Sequence, residues 1–126
     1  MNKRLHQVKK DFERALGALE KGVAEARTEL EIDGVIQRFE FTFELSWKFL
    51  RVYLENEGIL VNTPRSCMKE AFRLRLLDKE EEGLRMLDDR NDSVHLYDKA
   101  ASREIFERVR STYVNLLKDM LERVPG

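Results

Sequence analysis

Gly34-Val35-Ile36-Gln37-Arg38-Phe39-Glu40-Phe41-Thr42-Phe43-Glu44-Leu45-Ser46-Trp47-Lys48-Phe49-Leu50-Arg51-Val52-Tyr53-Leu54-Glu55-Asn56-Glu57 is the stretch whose periodicity decides the fold. At 100° per residue, Gln37, Glu40, Glu44, Lys48, Arg51 and Glu55 fall in one sector roughly 80° wide. Nearly everything else is apolar or small. Ile36, Phe39, Phe43, Trp47, Leu50 and Leu54 form one apolar face. Val35, Phe41, Leu45, Phe49, Val52 and Tyr53 form another. A helix lying on the surface of a small bundle needs a single apolar stripe. This one offers two, so it should be covered on two sides. The second cover is either another helix of the same bundle or another protein chain. On the latter reading Phe41, Leu45, Phe49 and Val52 make an oligomer interface. Arg38 falls inside that second sector and should snorkel outward or meet an acid.

Outward from this helix the pattern stays helical. Before it, Leu5, Val8, Phe12, Leu16, Leu19, Val23 and Ala26 recur at steps of three and four, which predicts a helix over about Lys3 to Arg27. His6 sits beside that stripe and reads as surface. Thr28 to Ile32 reads as a short connection, with Asp33 as N-cap of the next helix. After it, Gly58 is placed as a C′ glycine, with Ile59 and Leu60 for the accompanying apolar contact. Thr63 reads as an N-cap and Pro64 as the first residue of a short third helix, carrying Cys67, Met68, Ala71, Phe72 and Leu76 inward. Asp78 with Glu81 resembles a capping box opening a fourth helix, whose apolar residues are Leu84, Met86 and Leu87. A last helix, capped by Asp98 or Ser102, carries Ile105, Val109, Tyr113, Leu116, Met120 and Val124. No stretch reads as a strand. The expected fold is all-α: an antiparallel up-and-down four-helix bundle with one extra short helix, a single domain over residues 1–126.

Composition narrows the function classes. A net charge of −1 offers no bulk basic field for nucleic acid, so any contact with RNA or a nucleotide must be local. Charged residues make up 37% of the chain, against about 25% in soluble domains generally, which suits helices with salt-bridged outer faces. One cysteine, Cys67, excludes an internal disulfide and suits a reducing cytoplasm. No run of transmembrane length and no signal peptide is expected. There is no zinc-ligand cluster, P-loop or GxGxxG, so neither a metal nor a cofactor is expected.

The chemistry-bearing residues concentrate in Asp88-Asp89-Arg90-Asn91-Asp92-Ser93-Val94-His95-Leu96-Tyr97-Asp98, which holds one of the two histidines. A permanently charged guanidinium, an imidazole titrating near neutrality and a phenol together suit work on a phosphate. On a straight α-helix Arg90 and His95 would point about 140° apart, and His95 and Tyr97 about 160° apart. Convergence on one phosphate therefore needs a break at Asn91, Asp92 and Ser93, all turn and cap formers, or a site completed by a second subunit.

Arg90-Asn91, three residues, His95, one residue, Tyr97 resembles the Arg-x4–6-His motif of HEPN domains in the form with a trailing tyrosine. The block from Ile36 to Lys48 is similar to the long second helix of nucleotidyltransferase substrate-binding proteins, a HEPN branch. Thr63-Pro64-Arg65 followed by Glu70-Ala71-Phe72 is a third matching block. The resemblance spans roughly residues 5 to 122 and implies a helical bundle. It also implies two functional classes. One is a binding subunit that partners a minimal nucleotidyltransferase in a toxin–antitoxin-like two-gene system. There Arg90, His95 and Tyr97 would bind a nucleotide or acceptor, and the second apolar face of helix two would make a homodimer, a higher oligomer or a contact with the partner. The other is a metal-independent ribonuclease toxin. There His95 would be general acid or base, Arg90 would stabilise the phosphorane, and Asn91 or Asp92 would orient one of them. In that branch the partner silences the nuclease by adding AMP to the tyrosine, here Tyr97.

Overall fold

A computed structural model of the chain describes residues 2–95 and 98–125. Leu96 and Tyr97 lie outside the described residues. The elements are α1 (Lys3–Glu25), α2 (Glu29–Asn56), α3 (Pro64–Arg73), α4 (Glu80–Ser93), α5 (Lys99–Arg108), a π-helical segment (Val109–Tyr113) and α6 (Val114–Arg123). The last three run on without a break, so the molecule is a bundle of four long helices with α3 as the short extra one. No strand occurs among the described residues.

Local chemistry sets the ends. Asn2 caps α1, its Oδ1 accepting from the amides of Arg4 (2.8 Å) and Leu5 (3.3 Å). α2 begins earlier than the Asp33 cap predicts. Thr28 caps it, and Glu31 returns a carboxylate to the amides of Arg27 (2.8 Å) and Thr28 (2.9 Å), a complete capping box. These backbone donors hold the Glu31 carboxyl below its usual pKa. Gly58 ends α2 with a φ of +82°. Its amide donates to Glu55 O (3.0 Å) and that of Ile59 to Leu54 O (2.8 Å), a Schellman motif. Leu60 takes no part in the apolar contact and is 81% exposed. Thr63 and Pro64 open α3 as expected. α4 has no side-chain cap: Lys79 holds that position, and Asp78 instead pairs with Arg123 of α6. Phe72 is exposed rather than inward.

α2 lies at the centre and touches every other helix. Its two apolar faces are therefore largely covered from within. Phe39, Phe43, Phe49, Leu50 and Leu54 are wholly buried, and Val52 nearly so. The rings of Phe12 and Phe49 lie 5.8 Å apart. This corrects the expectation that Phe49 and Val52 face a partner: α1 and its neighbours already occupy that side. Phe41 stays 62% exposed and Leu45 half-buried. Arg38 does snorkel, but onto backbone. Its Nη1 donates to Ala18 O at 2.9 Å, across Gly22 of α1. One contiguous apolar cluster draws on all the helices. No helix among the described residues is long and apolar enough to cross a membrane.

Candidate functional site

The motif occupies the end of α4. Asn91, Asp92 and Ser93 do not break the helix; it runs through Ser93, and the turn comes at Val94 and His95. Of the three, Ser93 bonds back along the helix and Asn91 bonds to the Arg90 side chain, so neither turns the chain. The Ser93 hydroxyl donates to Arg90 O (2.8 Å) and also contacts Glu40 of α2. Asn91 Oδ1 accepts from Arg90 Nη1 at 3.1 Å. His95 leaves the helix axis after its amide bonds back to Asp92 O (3.0 Å), and its side chain is exposed.

Arg90 is the fixed member. Its Nη2 donates to Glu44 Oε2 at 3.0 Å, with both side chains about one-third exposed. Its Nε is buried and has no acceptor among the described residues. The guanidinium is thus held by α2 and by Asn91 with donor capacity left over. The polar strip of α2 forms the floor beneath it: Glu44 meets Arg90, and Glu40, one turn back, meets Ser93. From the other side Arg65 of α3 reaches Asp88 at 2.9 Å. No side-chain hydrogen bond joins His95 to Arg90 among the described residues, and Tyr97 falls outside them.

Beside Ser93 a groove of about 560 Å³ opens between α2, the end of α4 and the start of α5. Asp33, Gln37 and Glu40 line one wall; Ser93, Val94, Asp98, Lys99 and Ser102 line the other. Asp98 caps α5 through the Ala100 amide (2.9 Å). Lys99 is paired with Glu29 at 2.9 Å, which raises its pKa. The groove is polar and leans acidic.

Asp89, the residue before Arg90, escapes a reading confined to the motif. It is buried, receives both Arg108 Nε (2.7 Å) and Nη2 (3.0 Å), and accepts from the Tyr113 phenol. Burial first, and then this bond, push the Tyr113 phenol well above its ordinary pKa. The bond to Asp89 raises that of Arg108. The sequence signal is no more than an acid directly before the arginine; its burial comes from packing. Cys67 plays no part: burial lifts its thiol to about 12. No cluster of metal-ligand side chains occurs among the described residues.

A four-helix bundle with a fixed arginine and an exposed histidine at the end of one helix defines the class. Residues 7–125 match the family model described as "Nucleotidyltransferase substrate binding protein like", and the chain belongs to that family. A crystal structure from Thermus thermophilus is similar at a TM-score of 0.84 and 36% identity, covering 91% of this chain and 99% of that one. A Haemophilus influenzae structure, described as revealing the fold of a substrate binding domain of a nucleotidyltransferase, aligns at a TM-score of 0.83. It is 22% identical and covers 92% of this chain and 98% of the other, a likeness of fold. The protein named probable ribonuclease HepT from Haemophilus influenzae is 29% identical over 85 residues, 62% of this chain. The match spans 57% of that relative's length.

Proposed function

We propose that this chain is a single-domain, cytoplasmic HEPN-type subunit that partners a minimal nucleotidyltransferase and holds its nucleotide or acceptor substrate at the end of α4. The observation that carries the reading is Arg90. Glu44 and Asn91 fix its guanidinium at the end of α4, three residues before the Ser93 that lines the groove, and each takes only one N–H of the partly exposed Nη1 and Nη2. A pre-oriented guanidinium with spare donors suits a phosphate or carboxylate. The acidic lining disfavours a long RNA backbone, whose binding needs a field of several cations. A small nucleotide or polar acceptor makes less demand on that field. The family match and the described fold of the Haemophilus influenzae neighbour support the same role.

The test is calorimetric titration with AMP, ATP and the partner enzyme. Wild type should bind nucleotide, and Arg90→Ala should weaken it by about tenfold or more, the value of a hydrogen bond to a charged group. Undiminished binding in Arg90→Ala defeats the reading.

A second reading, a metal-independent ribonuclease in a toxin–antitoxin pair, is favoured by the exposure of His95 at the helix end and by the likeness to the probable ribonuclease HepT. His95 would move the proton of a ribose 2′-hydroxyl, and Arg90, oriented by Asn91, would meet the phosphorane charge. Cleavage should then survive EDTA, leave a 2′,3′-cyclic phosphate and vanish in His95→Ala. On this reading Tyr97 accepts AMP from the partner, and the added charge and bulk exclude RNA. Mass spectrometry should show the adduct on wild type and none on Tyr97→Phe. Cleavage that persists in His95→Ala removes this reading.

A further inference from the structure

We propose that Asp89 is a positioning residue for Arg90, and that the π-helical segment of the last helix is the device that holds it. Arg108 and Tyr113 are five residues apart. On a regular α-helix they would point about 140° away from each other and could not share a partner. Between them the chain is π-helical: the Val114 amide bonds to Val109 O, five residues back. An i→i+5 winding lays the fifth residue nearly over the first. That brings the guanidinium and the phenol to one carboxylate. Arg108 grips Asp89 through Nε (2.7 Å) and Nη2 (3.0 Å), and the Tyr113 hydroxyl donates to Oδ2.

Two of the three groups sit deep, and Arg108 reaches them from a side chain that is one-quarter exposed. Asp89 is 6% exposed and Tyr113 1%, and the Tyr113 ring stacks on Phe39 of α2 with centroids 5.6 Å apart and planes 18° from parallel. The clamp therefore ties α4 to the last helix and, through Phe39, to α2. Arg90 follows Asp89 by one residue, 100° round the same helix, and is tied to α2 at Glu44. Two ties on adjacent residues, directed to different helices, fix how α4 is rotated about its axis. Without the Asp89 tie the helix end turns more freely, and the guanidinium loses its register with Glu44. A buried carboxylate gripped from both sides is a rigid anchor of the kind that supports a binding group from behind.

The direct readout is the Nε–Hε cross-peak of Arg90 in arginine-labelled protein, identified by its loss in Arg90→Lys. Tyr113→Phe removes the hydroxyl and keeps the stacked ring; Asp89→Asn keeps shape and weakens the grip. Each should shift the Arg90 peak and hasten its exchange with solvent. Leu16→Ala, a core truncation in α1, should lower stability and leave the peak in place. An unmoved Arg90 peak in folded Tyr113→Phe overturns the proposal, as does an equal shift in Leu16→Ala. Should Asp89→Asn fail to fold, Tyr113→Phe decides the matter.

The functional arm rests on the reading of Arg90 as an anion-holding group. There Tyr113→Phe should weaken AMP binding by about tenfold, on the scale of one lost hydrogen bond, and Leu16→Ala should not. AMP affinity unchanged in Tyr113→Phe while Arg90→Lys reduces it overturns that arm. Affinity indifferent to Arg90→Lys overturns the reading of Arg90, and the cross-peak alone then decides the positioning.

Discussion

Two residues with positive φ end their helices by the same geometry and differ in chemistry. Gly58 closes α2 at +82°, and Arg75 closes α3 at +62°. After α3 the Leu76 amide bonds to Ala71 O (2.8 Å) and that of Arg75 to Phe72 O (3.0 Å), so Arg75 holds the C′ position that favours glycine. A Cβ in the left-handed region costs about 1–2 kcal/mol, and glycine's extra freedom when unfolded returns part of that. Arg75→Gly should therefore stabilise the protein by about 0.5–1 kcal/mol, and Gly58→Ala should destabilise it by about 1 kcal/mol. Urea midpoints at constant slope would check both. At the other end of α2, Glu31 is held ionised by two amides. Its pKa is lower folded than unfolded, so its contribution is present above the unfolded pKa and fades as pH falls through the folded one. The stability gap between wild type and Glu31→Gln should close in acid; a gap independent of pH would contradict the capping box as its origin.

At the scale of elements, α2 shows what its sequence could and could not disclose. Two apolar faces are legible from spacing, because periodicity reports that a face will be covered. It does not report by what. The answer needed the packing of α1 along the Phe49 side, which places Phe49 and Val52 in the core and leaves Phe41 out. Thr28 and Asp33 are both good caps, and only Glu31, three residues after Thr28, marks the earlier start of α2. The π segment leaves no mark, since Ile105, Val109, Tyr113, Leu116 and Met120 fit an α-helical stripe equally well. The arginine and histidine of the site were legible; Asp89 was not, because its partners lie 19 and 24 residues away. The packing carries its own test. Phe49→Ala should cost about 3–5 kcal/mol, the usual range for a buried aromatic, whereas Phe41→Ala should cost under about 0.5 kcal/mol in the monomer. Thermal melts in dilute solution separate the two; equal losses would mean that Phe41 is covered by something permanent.

At the scale of the whole molecule, the open question is what meets the surface around Phe41. A shallow apolar groove of about 320 Å³ lies there between α1 and α2, floored by Ala15 and Ala18 and edged by Leu45, Asp11, Arg14 and Arg38. The small alanines leave room, and Phe41 stands at the rim. The patch carries acid and base together, so two copies related by a two-fold axis would each offer a ring to the other's groove and a carboxylate to the other's guanidinium. On these grounds the chain should form a homodimer through Phe41 and Leu45, without Phe49 and Val52. Light scattering after size exclusion should give twice the chain mass for wild type. Phe41→Glu, at a position already facing water, should give a monomer with unchanged helicity. A monomeric wild type at micromolar concentration would leave the groove to the proposed nucleotidyltransferase partner, and Phe41→Glu should then abolish that association instead. A Phe41→Glu protein that keeps both contacts would mean that neither uses this face.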